Sequence, residues 1–280
     1  MDPYIKIEDI KGNQLIHVEN ELATATISVF GAHVLTFRPK SDNRDRLWLS
    51  ELTQLDGSEA IRGGIPICWP WFSKQFPNGE SGLASHGFLR TEAWHFESNE
   101  QLDTGETRLT FRFEVTPQPG FNHTASLTYR VLVGNSLQVE LEVTNTDDKD
   151  IAITGALHTY FTVENIHNTE IHGISGNFRD KTRDFNQFSV KLPYTFEGET
   201  DRVHLVQTKD LVIRGKRNST KISMSGHDSI VIWNPWIETS KAIDNIHNND
   251  YLDFVCVEAA ITSETIIPSG EVLTLTQSIG

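Results

Sequence analysis

The chain has 280 residues, with 24 Lys and Arg against 38 Asp and Glu and a formal net charge of −14. That balance argues against a nucleic-acid or anionic-membrane surface protein, because such a polyanion is repelled unless a separate basic patch receives it. Hydrophobic residues make up 38% and charged residues 22%, the proportions of a globular chain rather than a disordered one.

The two cysteines, Cys68 and Cys256, are too few and too isolated for a disulfide framework or a thiolate metal site. Residues 1–20 carry scattered charges and no apolar core of a signal peptide. No apolar run approaches the roughly 18 residues a spanning helix needs. The expected compartment is the cytoplasm. No composition shift, linker or repeat divides the chain, so one domain over 1–280 is expected.

In chain order the dominant period is two. Strands are predicted at 23–29 and 33–37. Residues 107–115 place Leu109, Phe111, Phe113 and Val115 between Arg108, Thr110, Arg112 and Glu114, giving one core face and one wet face. A strand at 127–133 is followed by Val133-Gly134-Asn135-Ser136, a hairpin turn in which Gly and Asn are expected to supply positive φ. The next strand alternates Leu137, Val139, Leu141 and Val143 with polar residues, and further strands are predicted at 211–214 and 272–276. Helical signal is confined to 240–247, with Thr239 or Ser240 as its cap. Regularly spaced short strands with Gly, Asn and Asp punctuation predict an all-β fold, a large antiparallel sandwich or barrel with a few short helices.

Four segments depart from ordinary strand patterning. Residues 61–72 hold two glycines, two prolines, two tryptophans and a phenylalanine, an irregular loop whose aromatics pack over a core edge or a ligand. Arg62 beside Gly63-Gly64 suits an anion-receiving loop, or else a surface Arg on a loop that plugs the core. In Ser85-His86-Gly87-Phe88-Leu89-Arg90 a His and an Arg stand four apart, consistent with a structural His or with a sugar-phosphate or carboxylate contact. In 151–163 one face holds Ile151, Ile153, Leu157, Phe161 and Val163. The other holds Ala152, Thr154, Ala156, His158 and Tyr160, small residues that leave space for a ligand or for a covering loop. Glu258 lies in an apolar strand on the face of Phe254, Cys256 and Ala260. A carboxylate there is either salt-bridged or has the raised pKa that suits a general base near neutrality.

Metalloprotease, serine-hydrolase and P-loop motifs are absent, and the histidines lack the spacing of a cupin-type metal cluster. A strand-borne His and Glu with two arginines and an aromatic loop suggest acid–base chemistry on an anionic polar ligand, without a metal.

These segments, together with Leu157-His158-Thr159-Tyr160-Phe161, Thr200-Asp201, Val231-Ile232-Trp233-Asn234-Pro235-Trp236, Val257-Glu258 and the closing Pro268-Ser269-Gly270-Glu271, resemble the hexose-6-phosphate mutarotases of the aldose 1-epimerase superfamily. Ser73 stands where that pattern often has Gly, and Leu89 where it often has a smaller residue.

The resemblance implies a galactose mutarotase-like supersandwich with the sugar bound on a sheet face. It implies Glu258 as general base and His158 as general acid, with no cofactor and no metal. His86 and Asp201 would bind sugar hydroxyls, and Arg62 and Arg90 the 6-phosphate. Trp69, Trp71, Trp233 and Trp236 would stack on the pyranose or pack at its rim. The implied partner is a hexose 6-phosphate, with no nucleic acid and no membrane, and the protein is expected to be a monomer or weak dimer. The alternatives are an aldose 1-epimerase acting on unphosphorylated hexose and a non-catalytic carbohydrate-binding domain on the same fold. A glycoside hydrolase would normally need two carboxylates about the bond, and a His/Glu pair does not supply them.

Overall fold

The computed structural model describes residues 3–74 and 82–280. Its twenty strands form three antiparallel sheets. The first is a meander of β1 (Ile5–Ile10), β2 (Asn13–Glu19), β3 (Ala23–Ser28) and β4 (His33–Pro39). The second has eight strands. Its main path runs β14 (Asn186–Ser189), β13 (Asn177–Asp180), β15 (Thr200–His204), β18 (Ser229–Asn234), β19 (Phe254–Ile267), β10 (Ile151–Leu157) and β5 (Ile67–Cys68), and β11 (Tyr160–Thr162) pairs with β19. The third runs β12 (Glu170–His172), β16 (Asp210–Arg214), β17 (Ser219–Ser225), β20 (Val272–Ile279), β9 (Leu137–Asn145), β8 (Ala125–Val133), β7 (Thr107–Val115) and β6 (His95–Gln101).

The period-two reading of the sequence reappears as burial. In β9 the residues Leu137, Val139, Leu141 and Val143 are buried, and they join one core cluster with Leu109 and Phe111 of β7. The same cluster takes Val255, Val257, Ala259 and Ile261 from β19 and Ile153 and Leu157 from β10. The two eight-stranded sheets therefore pack their apolar faces together as a sandwich, with β19 at the centre of one layer and β20 in the other. Because side chains alternate, the even-numbered residues of β19 must face away from this core, and Glu258 is among them.

One buried polar tie crosses the sandwich. Gln277 of β20 is fully buried; its Nε2 donates to the Val257 carbonyl at 3.0 Å, and its Oε1 accepts a short hydrogen bond from the Thr159 hydroxyl. The Val257 N–H in turn donates to the Thr159 carbonyl at 3.2 Å, closing a ring of three hydrogen bonds. A glutamine offers one donor group and one acceptor, and both are used here without leaving water-facing groups behind.

Two local expectations are corrected. The β8–β9 hairpin forms at the predicted place, but neither Gly134 nor Asn135 takes a positive φ; the turn closes by a Gly134 N–H bond to the Ser136 carbonyl. The predicted helix at 240–247 is displaced. The helix present, α1, spans Trp236–Ser240, and the Trp236 N–H is received by the Asn234 side chain. Beyond Ser240 the chain turns, because Asn245 is drawn into tertiary contacts: its carbonyl accepts from Ser50 and its side chain from Arg62. Among the described residues no helix is long and apolar enough to cross a membrane.

Candidate active site

On the face of the second sheet turned away from the core, apolar residues flank Glu258 on both sides. Cys68, Phe72, Ala156, Val203, Val231 and Ala260 cluster on one side, and Tyr160, Phe254 and Cys256 on the other. Glu258 itself is 1% exposed and sits opposite Val231 in the β18–β19 register. Its Oε1 lies 3.4 Å from His158 Nε2, and its Oε2 has no hydrogen-bond partner among the described residues.

Burial pushes the Glu258 carboxyl well above the usual carboxylate range. Lys181 opposes the shift and Asp201 adds to it. His158 follows β10, where its N–H is held by the Pro66 carbonyl at 3.0 Å, and its ring stacks on Tyr160 with centroids 5.0 Å apart. Burial first, and His86 beside it, hold His158 well below its ordinary value.

His86 lies in the segment that leads to the 3₁₀ turn Leu89–Thr91. It sits in the left-handed region at φ 69°, a conformation bulky residues adopt only when surroundings enforce it. Here Gly87 provides the enforcement: at φ +70° it pairs with Trp69, and a Cβ on it would lie 1.9 Å from the Trp69 carbonyl oxygen. The Ser73 N–H donates to His86 Nδ1 at 3.2 Å, so the ring proton belongs on Nε2 and that nitrogen is a donor. The His86 ring meets His158 edge-on at 5.4 Å, and burial, aided by Arg90, takes its pKa down to about 3.

Arg62 and Arg90 converge on the same rings, since both guanidiniums depress His86 and His158. Arg62 donates from Nε to Asn245 Oδ1 at 2.9 Å and from Nη1 to the Tyr160 hydroxyl at 3.1 Å. Arg90 donates from Nη2 to the Ser85 carbonyl at 2.9 Å. Among the described residues, neither has a carboxylate within ion-pair distance. The Arg62 loop owes its path to Gly64, where a Cβ would lie 2.2 Å from the Val34 carbonyl oxygen, and to buried His33, whose Nε2 bonds the Gly63 carbonyl at 2.7 Å.

Asp201 is half-buried on β15, and burial raises its pKa against the pull of Lys181, whose ammonium lies 3.0 Å from Oδ2. All six sequence-predicted residues thus belong to one sheet face or its bordering loops. Sequence reasoning missed Lys181 and Asn245 as site residues, whereas Trp233 is one of the four tryptophans expected at the site or its rim. Trp233 packs 6.0 Å from both His158 and Tyr160. Lys181 sits in a charge-rich stretch without periodicity, and its one local signal is Asp180, whose side chain caps the turn by accepting from the Thr182 N–H.

Of the other tryptophans, Trp69 and Trp71 are buried in the core beside Phe88, and Trp236 packs on His167 and Tyr251. Among the described residues no group of three or more His, Cys, Asp or Glu side chains is placed to hold a metal ion.

The antiparallel sandwich that carries this carboxyl–imidazole pair has the fold of the galactose mutarotase-like proteins. The chain belongs to the aldose 1-epimerase family, whose model matches residues 14–280. It is 32% identical over 263 residues to a Salmonella typhimurium protein named "Putative glucose-6-phosphate 1-epimerase", covering 92% of this chain and 86% of that one. It is 31% identical over 271 residues to an Escherichia coli protein of the same name, covering 95% and 89%. A crystal structure from Salmonella typhimurium described as a "putative mutarotase" superposes with a TM-score of 0.91 at 31% identity, covering 100% of this chain and 94% of that one. The protein is accordingly an epimerase-type isomerase acting on a sugar.

Proposed function

We propose that the protein is a hexose-6-phosphate mutarotase that interconverts the α and β anomers of glucose 6-phosphate. The observation that carries this reading is the pair of half-buried guanidiniums, Arg62 and Arg90, left without carboxylates among the described residues beside the Glu258–His158 pair. A phosphate complements these two guanidiniums in charge, and Arg–phosphate hydrogen bonds are roughly twice as strong as neutral ones. The names of the Salmonella and Escherichia coli relatives point the same way.

In this reading Glu258 takes the proton from the anomeric hydroxyl while His158 gives one to the ring oxygen. The C1–ring-oxygen bond breaks and C1 becomes the aldehyde carbon. Rotation about C1–C2 presents the other face of the carbonyl. Closure then reverses both transfers, with His158 deprotonating the C5 hydroxyl and Glu258 protonating the carbonyl oxygen. His86 Nε2–H and Asp201 orient the ring through its hydroxyls.

The pKa directions suit this proton inventory. The 3.4 Å pair shares one proton, and burial favours its neutral arrangement, carboxylic acid beside neutral imidazole. That is the arrangement present when the open aldehyde stands in the site. The charged arrangement with the same number of protons is the one that attacks the closed sugar, so neither direction of the reaction needs a proton from outside.

NMR exchange between the anomers of glucose 6-phosphate and of glucose, measured side by side, tests the reading. Faster exchange of the phosphosugar is expected. Equal acceleration of the two sugars would remove the phosphate assignment, and acceleration of neither would remove the proposed substrates. Glu258→Gln is expected to abolish exchange while leaving sugar-phosphate binding intact.

A further inference from the structure

Lys181 has no role in the chemistry above, yet its ammonium lies 3.0 Å from Asp201 Oδ2 and opposes the upward shift of Glu258. It opens a 3₁₀ turn, Lys181–Arg183, immediately after β13. Asp180, the last residue of β13, is buried and holds this turn. Its Oδ1 accepts from the Thr182 N–H at 3.0 Å and from the Thr182 hydroxyl at 2.6 Å, and its Oδ2 faces Arg202 Nε at 3.5 Å.

Asp180 and Arg202 are cross-strand partners in the β13–β15 register. Alternation sends Asp201, the neighbour of Arg202 on β15, toward the opposite face, and the 3₁₀ turn brings the Lys181 ammonium to it at 3.0 Å. The ammonium also lies 5.6 Å from the Phe72 ring centroid, and Phe72 belongs to the apolar cluster of Val231 and Ala260 that borders Glu258. A lysine fixed by a capped turn, an ion pair and an aromatic face is held far more firmly than a surface lysine with a single partner.

We propose that Lys181 is a positioning residue of the anomerisation site: its ammonium keeps Asp201 ionised and aimed at the sugar hydroxyls, and supplies the positive charge that the carboxylate form of Glu258 requires. The inference rests on the mutarotase reading. Glu258 is faced by His158 from the end of β10, Cys68 from β5, Cys256 from its own strand, Asp201 from β15 and Lys181 from the turn after β13. Asp201 is faced by Lys181, Glu199, Asp180, Glu258 and Cys256. Within these two sets Lys181 is the one lysine or arginine; Arg62 and Arg90 act on the imidazoles and on Tyr160 instead. Taking the ammonium away leaves two buried carboxyls to repel one another, and both pKa values must rise.

The test compares wild type, Lys181→Met and Lys181→Arg by two readouts. One is the carboxyl ¹³C titration of Asp201 and Glu258 in the free protein; the other is the pH profile of kcat/KM for glucose 6-phosphate exchange. Lys181→Met is expected to move the Asp201 midpoint up by about one pH unit or more, the effect of an opposite charge in contact. The acid limb of kcat/KM should move the same way, giving about a tenfold loss on the acid side and little change on the alkaline side. Lys181→Arg should restore both.

An unmoved Asp201 midpoint in Lys181→Met overturns the proposal. So does a loss of activity uniform across pH, which is the mark of a purely structural role. If wild type fails to accelerate exchange, the mutarotase reading falls, while the titration still decides whether Lys181 governs these carboxyls.

Discussion

Replacing Glu258 by Gln should make the protein more stable while making it inactive, and the gain should depend on pH. In the unfolded chain this carboxyl titrates near its ordinary value of about 4.3. In the fold it titrates well above that, because 1% exposure removes the water that would solvate its charge. Between those two values the unfolded state has released a proton that the native state still holds, so the native state loses about 1.4 kcal/mol for each pH unit climbed.

Below pH 4 the effect is absent. It grows as pH rises and levels off above the folded pKa. Gln cannot ionise and escapes it. The amide does place an N–H₂ group where a carboxyl oxygen now lacks a partner, which offsets the gain by about 1 kcal/mol or more. A net stabilisation of the variant that increases from pH 4 toward neutrality is therefore expected, vanishing or reversing near pH 4. Urea denaturation of both proteins at pH 4.5, 5.5, 6.5 and 7.5 measures it, with the midpoint compared at unchanged m-value. A stability difference that stays flat over that range, or that turns against the variant as pH rises, would refute the claim that burial holds Glu258 protonated.

Arg90→Ala should raise the KM for glucose 6-phosphate by about 10- to 100-fold, the worth of one charge-assisted hydrogen bond, and leave exchange of free glucose unchanged; paired NMR saturation curves check it. The pH profile of kcat should be bell-shaped, because the Glu258–His158 pair must carry one proton. Activity is lost below the first macroscopic pKa as the pair gains a second proton and above the second as it loses its last, and a profile lacking either limb would contradict the shared-proton scheme. Gly87→Ala should cost more than about 2 kcal/mol in thermal denaturation, since φ is +70° and the new Cβ would collide with the Trp69 carbonyl.

Much of the fold was readable because alternation is a local property. The faces of β7 and β9 follow from their own residues, and Glu258 stood out since a carboxylate in an apolar strand breaks the rule its neighbours keep. Residues tied to non-local geometry were harder. Asn245 lies in a segment with helical spacing, but its bonds to Arg62 and Ser50 reach far along the chain and override local preference. Lys181 carries no periodic signature, because its place comes from a cap and a cross-strand register. Trp69 and Trp71 were readable as aromatic, but which aromatics line a site and which fill a core is settled by strand pairing, and only Trp233 of the four faces the reactive pair.

The ring of hydrogen bonds from Gln277 grips Thr159 and Val257, the chain neighbours of His158 and Glu258. The distance between imidazole and carboxyl is thus gauged from the far layer of the sandwich, while the groups proposed to meet the substrate come from the near side, Arg62 and Arg90 from loops and Asp201 from β15. Gauge and grip occupy separate parts of the molecule. On the proposed mechanism, exchanging Arg62, Arg90 or Asp201 should change which sugar is admitted without disturbing the spacing on which proton transfer depends. A change at Gln277, remote from any sugar, would alter the chemistry for every sugar alike.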